Sequence, residues 1–296
     1  MAWAGDIDKY SIQSYRHNVD QKAVISDIKT MMPFDVPYAD VWNFGFPCQD
    51  LSLAGKRKGM TEGKTRSGLF YEVIRLLDTM DNISSNTQKP KMLLAENVKG
   101  LKNYLPAVEE EFNRVGYKMY YTIYNSRYFG VPQNRERYFI VGVREDIEER
   151  FVFPESGIFD PHVKDILEQN PLNKYNITNS KIVDLLRELD LTESEIKIVA
   201  MRGRYDKEGK VEQRLEPRPD NVSNTLTTVQ KDNFIYVNGV LRKLTPRESA
   251  RLQGFPDDYE QVVSDSQFFK QMGNAVTVPV AREVALCIKE FLLKVK

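Results

Sequence analysis

Short apolar runs that close on polar residues alternate with amphipathic stretches through residues 1–150, the pattern of an open α/β sheet. Asp8 to Asn18 reads as a helix, and Ala39 to Gly45 and Lys91 to Ala95 read as short buried strands. Between those strands Phe70, Val73, Ile74 and Leu77 recur at helical spacing, so they share one face. Tyr117 to Tyr124 and Tyr138 to Val143 read as further strands, joined by a loop over Asn125 to Arg137. In such sheets functional residues gather at the carboxyl ends of strands. The expected fold is therefore α/β, an open and mostly parallel sheet, with a smaller domain over residues 151–260, where charges and prolines scatter and no βα repeat continues.

Two segments carry helix signals, one near its end and one beyond it. In Thr245-Pro246-Arg247-Glu248, Thr is placed as an N-cap, Pro at the first helical position and Glu as the return half of a capping box, with Gly254 as the stop. Val280, Val284, Cys287, Ile288, Phe291 and Leu292 line one helical face, so residues 261–296 are expected to return to the α/β domain and pack there. The sequence has 296 residues, long enough for two domains, and 41% hydrophobic residues suffice for ordinary cores. Lys plus Arg equal Asp plus Glu at 42 each, so any charge directed at a polyanion must be local. Two cysteines in unrelated contexts exclude a disulfide framework and a Cys-rich zinc site, and His17 and His162 have no metal-ligand spacing. No metal is expected. No apolar run spans a membrane and no signal peptide opens the sequence, so a cytoplasmic location is expected.

Three clusters carry chemistry. Gly45-Phe46-Pro47-Cys48-Gln49 follows a strand and precedes a stretch with Gly55, Gly59, Gly63 and Gly68 and five basic residues. A lone cysteine is most often a small buried hydrophobe, but a strand end opens onto the ligand crevice, and a basic glycine-rich stretch suits a flap facing a polyanion. The alternative for that stretch is a solvated surface loop. Glu96-Asn97-Val98 ends a buried strand, where partial burial raises a carboxyl's pKa and lets it donate a proton; its alternative is a rim carboxylate. Gln133, Arg135 and Arg137 precede a strand, and if extended geometry reaches back over them they point one way. Two arginines and an amide can bind a phosphate or a carbonyl oxygen or hold a thiolate charged; equally they form structural ion pairs.

Together, and in this order, these clusters resemble the DNA (cytosine-5) methyltransferase family of the bacterial restriction–modification type. The resemblance extends through Leu244-Thr-Pro-Arg-Glu-Ser-Ala-Arg-Leu-Gln-Gly-Phe-Pro-Asp-Asp-Tyr259 to Gln271-Met-Gly-Asn-Ala-Val276 and spans nearly the whole chain. It implies a fold of the S-adenosylmethionine-dependent methyltransferase type, with a catalytic domain over residues 1–150 and a target-recognition domain over 151–260. Cys48 would be the nucleophile, Glu96 the acid facing N3 of the base, Arg137 the partner of O2, and Arg135 a brace for the nucleophile loop. S-adenosyl-L-methionine is the implied cofactor, with Asp6 on the ribose, Ile7 on adenine, Asp27 and Ile28 at the adenine edge, and Leu69, Asn274 and Val276 lining the pocket. The plain alternatives are helix caps for Asp6, Asp27 and Asn274 and core positions for Ile7, Ile28 and Leu69. Gln49 and Ser52 would close around a flipped base, and Thr225 and Thr227 would face double-stranded DNA.

The family opens with a strand and a Phe-x-Gly-x-Gly turn ahead of the segment matching Trp3 to Tyr15, and this sequence starts after it. A first strand is therefore expected to be missing, with an upstream start, a second polypeptide or gene decay as its explanations. The implied partners are duplex DNA and a restriction endonuclease acting on the same sequence. Two other functions remain open: a tRNA cytosine-5 methyltransferase, and a DNA-binding subunit without activity.

Overall fold

The computed structural model describes residues 3–46, 67–82, 89–228 and 230–295. Along the chain run β1 (Gly5–Asp6), α1 (Lys9–Asn18), β2 (Val24–Ile25), β3 (Val41–Gly45), α2 (Phe70–Asn82), β4 (Met92–Val98), α3 (Leu105–Arg114) and β5 (Tyr117–Asn125). They are followed by β6 (Gln133–Asn134), β7 (Glu136–Arg144), α4 (Ser180–Arg187), β8 (Lys197–Tyr205), β9 (Val211–Pro217) and β10 (Ser223–Asn224). The last elements are β11 (Phe234–Val237), β12 (Val240–Arg242), α5 (Pro246–Leu252), α6 (Asp265–Asn274) and α7 (Val278–Lys294). The chain divides into two units: Met1–Tyr124, Glu136–Glu155 and Glu283–Lys296 form one, and Asn125–Arg135 and Ser156–Arg282 the other. Among the described residues no helix is long and apolar enough to cross a membrane.

The first unit is built on a four-stranded sheet in the order β3-β4-β7-β5 and a separate parallel pair, β1 and β2. β3 and β4 run parallel, and β7 is antiparallel to β4. The fully buried Leu93, Ala95 and Ile140 of β4 and β7 meet the α2 residues Phe70, Val73, Ile74 and Leu77, all of them buried as their helical spacing requires. Phe112 of α3 stacks on Phe70 with ring centroids 6.0 Å apart. Gly142 makes that layer possible, because a Cβ there would stand only 3.2 Å from the Phe112 ring and 3.3 Å from Leu93. Asp8 caps α1 by accepting from Tyr10 N at 2.9 Å, which fixes the helix start one residue later than the sequence reading. The end of α7 supplies Phe291, whose ring meets Phe151 edge-on at 5.8 Å.

The second unit carries an antiparallel sheet in the order β12-β11-β8-β9. Its side chains alternate between two clusters. Val199, Phe234, Tyr236 and Leu241 face Ile182, Leu185 and Leu186 of α4, whereas Ile198 and Ile235 face Ala250 and Leu252 of α5 and Phe268 and Met272 of α6. The α5 capping box forms as its sequence predicts, with Thr245 Oγ1 accepting from Glu248 N at 3.1 Å and Glu248 accepting from Thr245 N at 2.9 Å. Gly254 follows α5 at φ +75°, a left-handed position where a side chain is strained.

Candidate active site

Parallel pairing sets the level of the first group. β3 and β4 lie in register with Gly45 beside Glu96, so the strand that leads into Pro47 and Cys48 ends level with the carboxylate. Antiparallel pairing of β4 with β7 sets Val98 opposite Arg137 and Glu96 opposite Phe139. Glu96 and Arg137 thus share one face as diagonal neighbours. Their side chains are only 17% and 15% exposed, and Arg137 Nε stands 3.2 Å from Glu96 Oε1. The planar guanidinium at this distance orients the Glu96 side chain. Glu136, between the two arginines, is instead taken by Lys99 at 2.7 Å.

Asn97, which the sequence reading passed over as part of a tripeptide, anchors the exit of β3. Its buried amide donates to Phe46 O at 3.0 Å while its own oxygen accepts from Val98 N at 2.8 Å. The Phe46 ring packs on Phe70 at 5.3 Å, so the residue before Pro47 is held through both backbone and side chain. Cys48, Gln49 and Ser52 lie outside the described residues. The other cysteine, Cys287, is half-buried on α7, and burial pushes its thiol up, away from the thiolate form.

The sequence reading let Gln133, Arg135 and Arg137 point one way, and the structure separates them. Extended pairing breaks at Arg135, between β6 and β7, so the alternation does not run through all three. Arg137 joins Glu96 in the first unit, whereas Gln133 and Arg135 are buried in the second. Gln133 donates to Leu252 O at 2.7 Å and accepts from Leu226 N at 2.8 Å. Arg135 donates to the carbonyls of Leu226 (3.1 Å), Gly273 (3.2 Å) and Ala275 (2.7 Å). One guanidinium therefore ties the segment of Thr225 and Thr227 to the end of α6 that bears Asn274. Gly273 lets the two approach, since a Cβ there would fall 2.7 Å from the Thr227 carbonyl. Thr225 donates to Asn134 O at 2.8 Å, Asn274 is exposed and Val276 half-buried. Thr277 links Ser126 (2.8 Å) and Gln253 (2.9 Å), an association that only the tertiary fold brings about.

A second group stands at the carboxyl ends of β1 and β2. Gly5 pairs with Val24 and Asp6 with Ile25 in parallel, which brings Asp6 and Ile7 beside the start of Ser26-Asp27-Ile28. Ile7 is 67% exposed, so it is not a core residue. Asp6 is exposed and accepts from Asp8 N at 2.8 Å; Asp27 caps the short turn Ile28–Thr30 by accepting from Lys29 N at 3.0 Å. Arg75 of α2 holds that turn in place, donating to Ile28 O and Met31 O, each at 3.0 Å. Ile28 packs against the first unit's core, and Leu69 is half-buried in the turn that opens α2.

The fold is that of the S-adenosylmethionine-dependent methyltransferases. The chain superposes on the crystal structure of a Dnmt2 methyltransferase from S. pombe with a TM-score of 0.69 at 19% identity, covering 99% of this chain and 91% of the other. For the Entamoeba histolytica methyltransferase EhMeth the TM-score is 0.70 at 17% identity, covering 98% of this chain and 89% of the other. The family model of the C-5 cytosine-specific DNA methylases matches residues 1–290. Type II methyltransferase M.NlaX of Neisseria lactamica is 34% identical, covering 98% of this chain and 88% of the relative. Type II methyltransferase M.HhaI of Haemophilus parahaemolyticus is 30% identical, covering 96% and 85%. The chain belongs to the C-5 cytosine-specific DNA methylase family and is by class a DNA (cytosine-5) methyltransferase, a family that in general depends on S-adenosylmethionine.

Proposed function

We propose that the chain methylates C5 of a cytosine turned out of a specific duplex DNA sequence, through a covalent bond from Cys48, and that it protects that sequence from a partner restriction endonuclease. The observation that carries this is the level of Glu96, beside Gly45 at the end of the strand leading to Cys48 and held by Arg137 at 3.2 Å. Cytosine C5 is a weak nucleophile, and addition of a thiolate to C6 makes it enamine-like. Charge then moves toward N3 and O2, where Glu96 gives a proton or hydrogen bond and Arg137 faces the oxygen. Once C5 carries the methyl group, loss of the C5 proton to a base lets the C6–S bond break and returns the Cys48 thiolate. C6 is inaccessible inside a duplex, so the base must leave the stack, with Gln49 and Ser52 closing around it and Thr225 and Thr227 on the DNA side.

Bound S-adenosylmethionine supplies an electrophilic methyl group on a sulfonium. The residues at the ends of β1 and β2 suit it: Asp6 offers an exposed carboxylate to the ribose hydroxyls beside the exposed apolar surface of Ile7 for adenine. Asp27 and Ile28 take the adenine edge, Leu69 the wall, and Asn274 and Val276 the remaining contacts. Arg135 is a positioning residue that holds backbone rather than substrate.

Duplex DNA with 5-fluorocytosine at the target tests the reading, because fluorine does not leave as a cation and the elimination stalls. With S-adenosylmethionine present, a denaturation-stable adduct should form whose crosslinked peptide contains Cys48. A preparation that methylates ordinary duplex but forms no adduct overturns the covalent route, and methylation of tRNA in place of duplex overturns the substrate.

A further inference from the structure

The hairpin of β8 and β9 outruns its sheet. β11 pairs only with Lys197–Val199, whereas β8 and β9 stay paired from Val199 opposite Pro217 to Tyr205 opposite Val211. Beyond β11 they continue as a two-stranded ribbon, closed by a turn in which Asp206 accepts from Glu208 N at 2.9 Å and Lys210 N at 2.8 Å. The register sorts its side chains. Met201, Tyr205, Val211 and Leu215 lie on one face, and Arg202, Arg204, Glu212, Arg214 and Glu216 on the other.

The charged face has an arrangement that folding alone disfavours. Arg202 stands directly opposite Arg214, and like charges across a strand pair destabilise it. Each guanidinium is instead balanced by a carboxylate: Arg202 by Asp232 at 3.0 Å, Arg214 by Glu212 at 3.3 Å, and Arg204 by a two-pronged contact to Glu216 at 2.5 and 2.6 Å. All three arginine side chains remain open to solvent, at 36%, 53% and 57% exposure for Arg202, Arg204 and Arg214. The pairs of Arg204 and Arg214 are exposed on both sides, and such pairs are weak and readily exchanged, whereas Asp232, the partner of Arg202, is only 15% exposed.

A two-stranded ribbon fits the major groove of B-DNA, about 12 Å wide, and the O6 and N7 atoms of guanine present an arginine fork with the paired acceptors that Glu216 presents to Arg204. We propose that the charged face of the ribbon enters the major groove of the substrate duplex and that Arg204 and Arg214 read guanines flanking the target cytosine. This rests on the DNA-methylating reading above. The carboxylates keep the free ribbon near neutral, which limits its attraction to phosphate.

The full-length chain is incubated with a pool of random duplexes and the retained DNA sequenced, with methyl incorporation into the same pool measured in parallel. Wild type should enrich a motif containing guanine. Arg204→Ala and Arg204→Lys should each lose discrimination at one guanine by about ten-fold, while duplexes already altered at that position bind as before. Glu216→Gln frees Arg204 and should keep the motif and bind it no more weakly, whereas a purely structural ion pair predicts weaker binding. Variants of Arg204 and Arg214 that enrich the wild-type motif overturn the assignment. So does uniform weakening across all sequences with a shallower salt dependence, which marks phosphate contacts. A wild-type chain that methylates duplex without sequence preference overturns it too, whereas one that neither binds nor methylates duplex overturns the proposed function itself.

Discussion

Glu96 and Arg137 sit far apart in sequence and meet only because β4 and β7 pair in one register, with Val98 opposite Arg137. A shift by one residue would send the two side chains to opposite faces. Each was legible alone, Glu96 from its place after an apolar run and Arg137 from an arginine-rich approach to a strand. Their contact was not, since register is a tertiary property. Glu96→Gln retains the shape of the side chain but has no acidic proton to release. The expected result is a folded protein whose kcat falls by about 10²–10⁴. Arg137→Ala removes a donor to developing charge and should lower kcat by about 10²–10³. Single-turnover transfer of a labelled methyl group measures both, and a Glu96→Gln enzyme within a few-fold of wild type would remove Glu96 from the chemistry.

Elements with one apolar face were the easiest to foresee, as α2 and the start of α5 show, because burial and capping are local rules. The β8–β9 ribbon was missed for the converse reason. Its outer half has no buried face beyond β11, so no hydrophobic alternation announces it. The capping box of α5 also has a second function that spacing alone does not reveal. Glu248 is fully buried and forms a two-pronged pair with Arg242 of β12, both contacts at 2.7 Å, and it accepts from Glu168 N at 3.0 Å. Removing one partner of such a pair leaves a buried charge unmatched, so Glu248→Ala should cost about 3–5 kcal/mol, and a paired replacement by packed apolar residues should cost much less. Urea unfolding of the two variants decides it. A loss under about 1 kcal/mol for Glu248→Ala would mean that water reaches Arg242.

Over the whole molecule, several carboxylates are held below their usual range by a hydrogen-bonded cation: Asp146 by Arg144, Glu216 by Arg204, Asp257 by Arg251 and Asp265 by Lys174. Because the folded values lie below the unfolded ones, near 4, this stability is present above that range and is lost as pH falls through the lowered values. The urea midpoint should hold from about pH 8 to 5 and decline below about 4, less steeply in high salt because these groups are exposed. The prediction with the widest reach concerns exchange of residues 151–240 for the matching span of a relative with another target. Several contacts between such a graft and the retained chain use only the graft's backbone. Arg135 donates to the carbonyl of Leu226, Gln133 accepts from Leu226 N, and Ser223 N donates to Pro132 O at 2.8 Å. Carbonyls and amides recur whatever side chains the graft brings. What must be kept is the apolar set that meets α5 and α6, namely Val163, Ile166, Ile198, Leu226 and Ile235, because volume changes in a packed core cost stability. A graft that keeps these five should fold, retain turnover of the same order and methylate the donor's sequence, as bisulfite sequencing of the product would show. A folded, active graft that still methylates the original target would place sequence reading outside residues 151–240, and the ribbon with it.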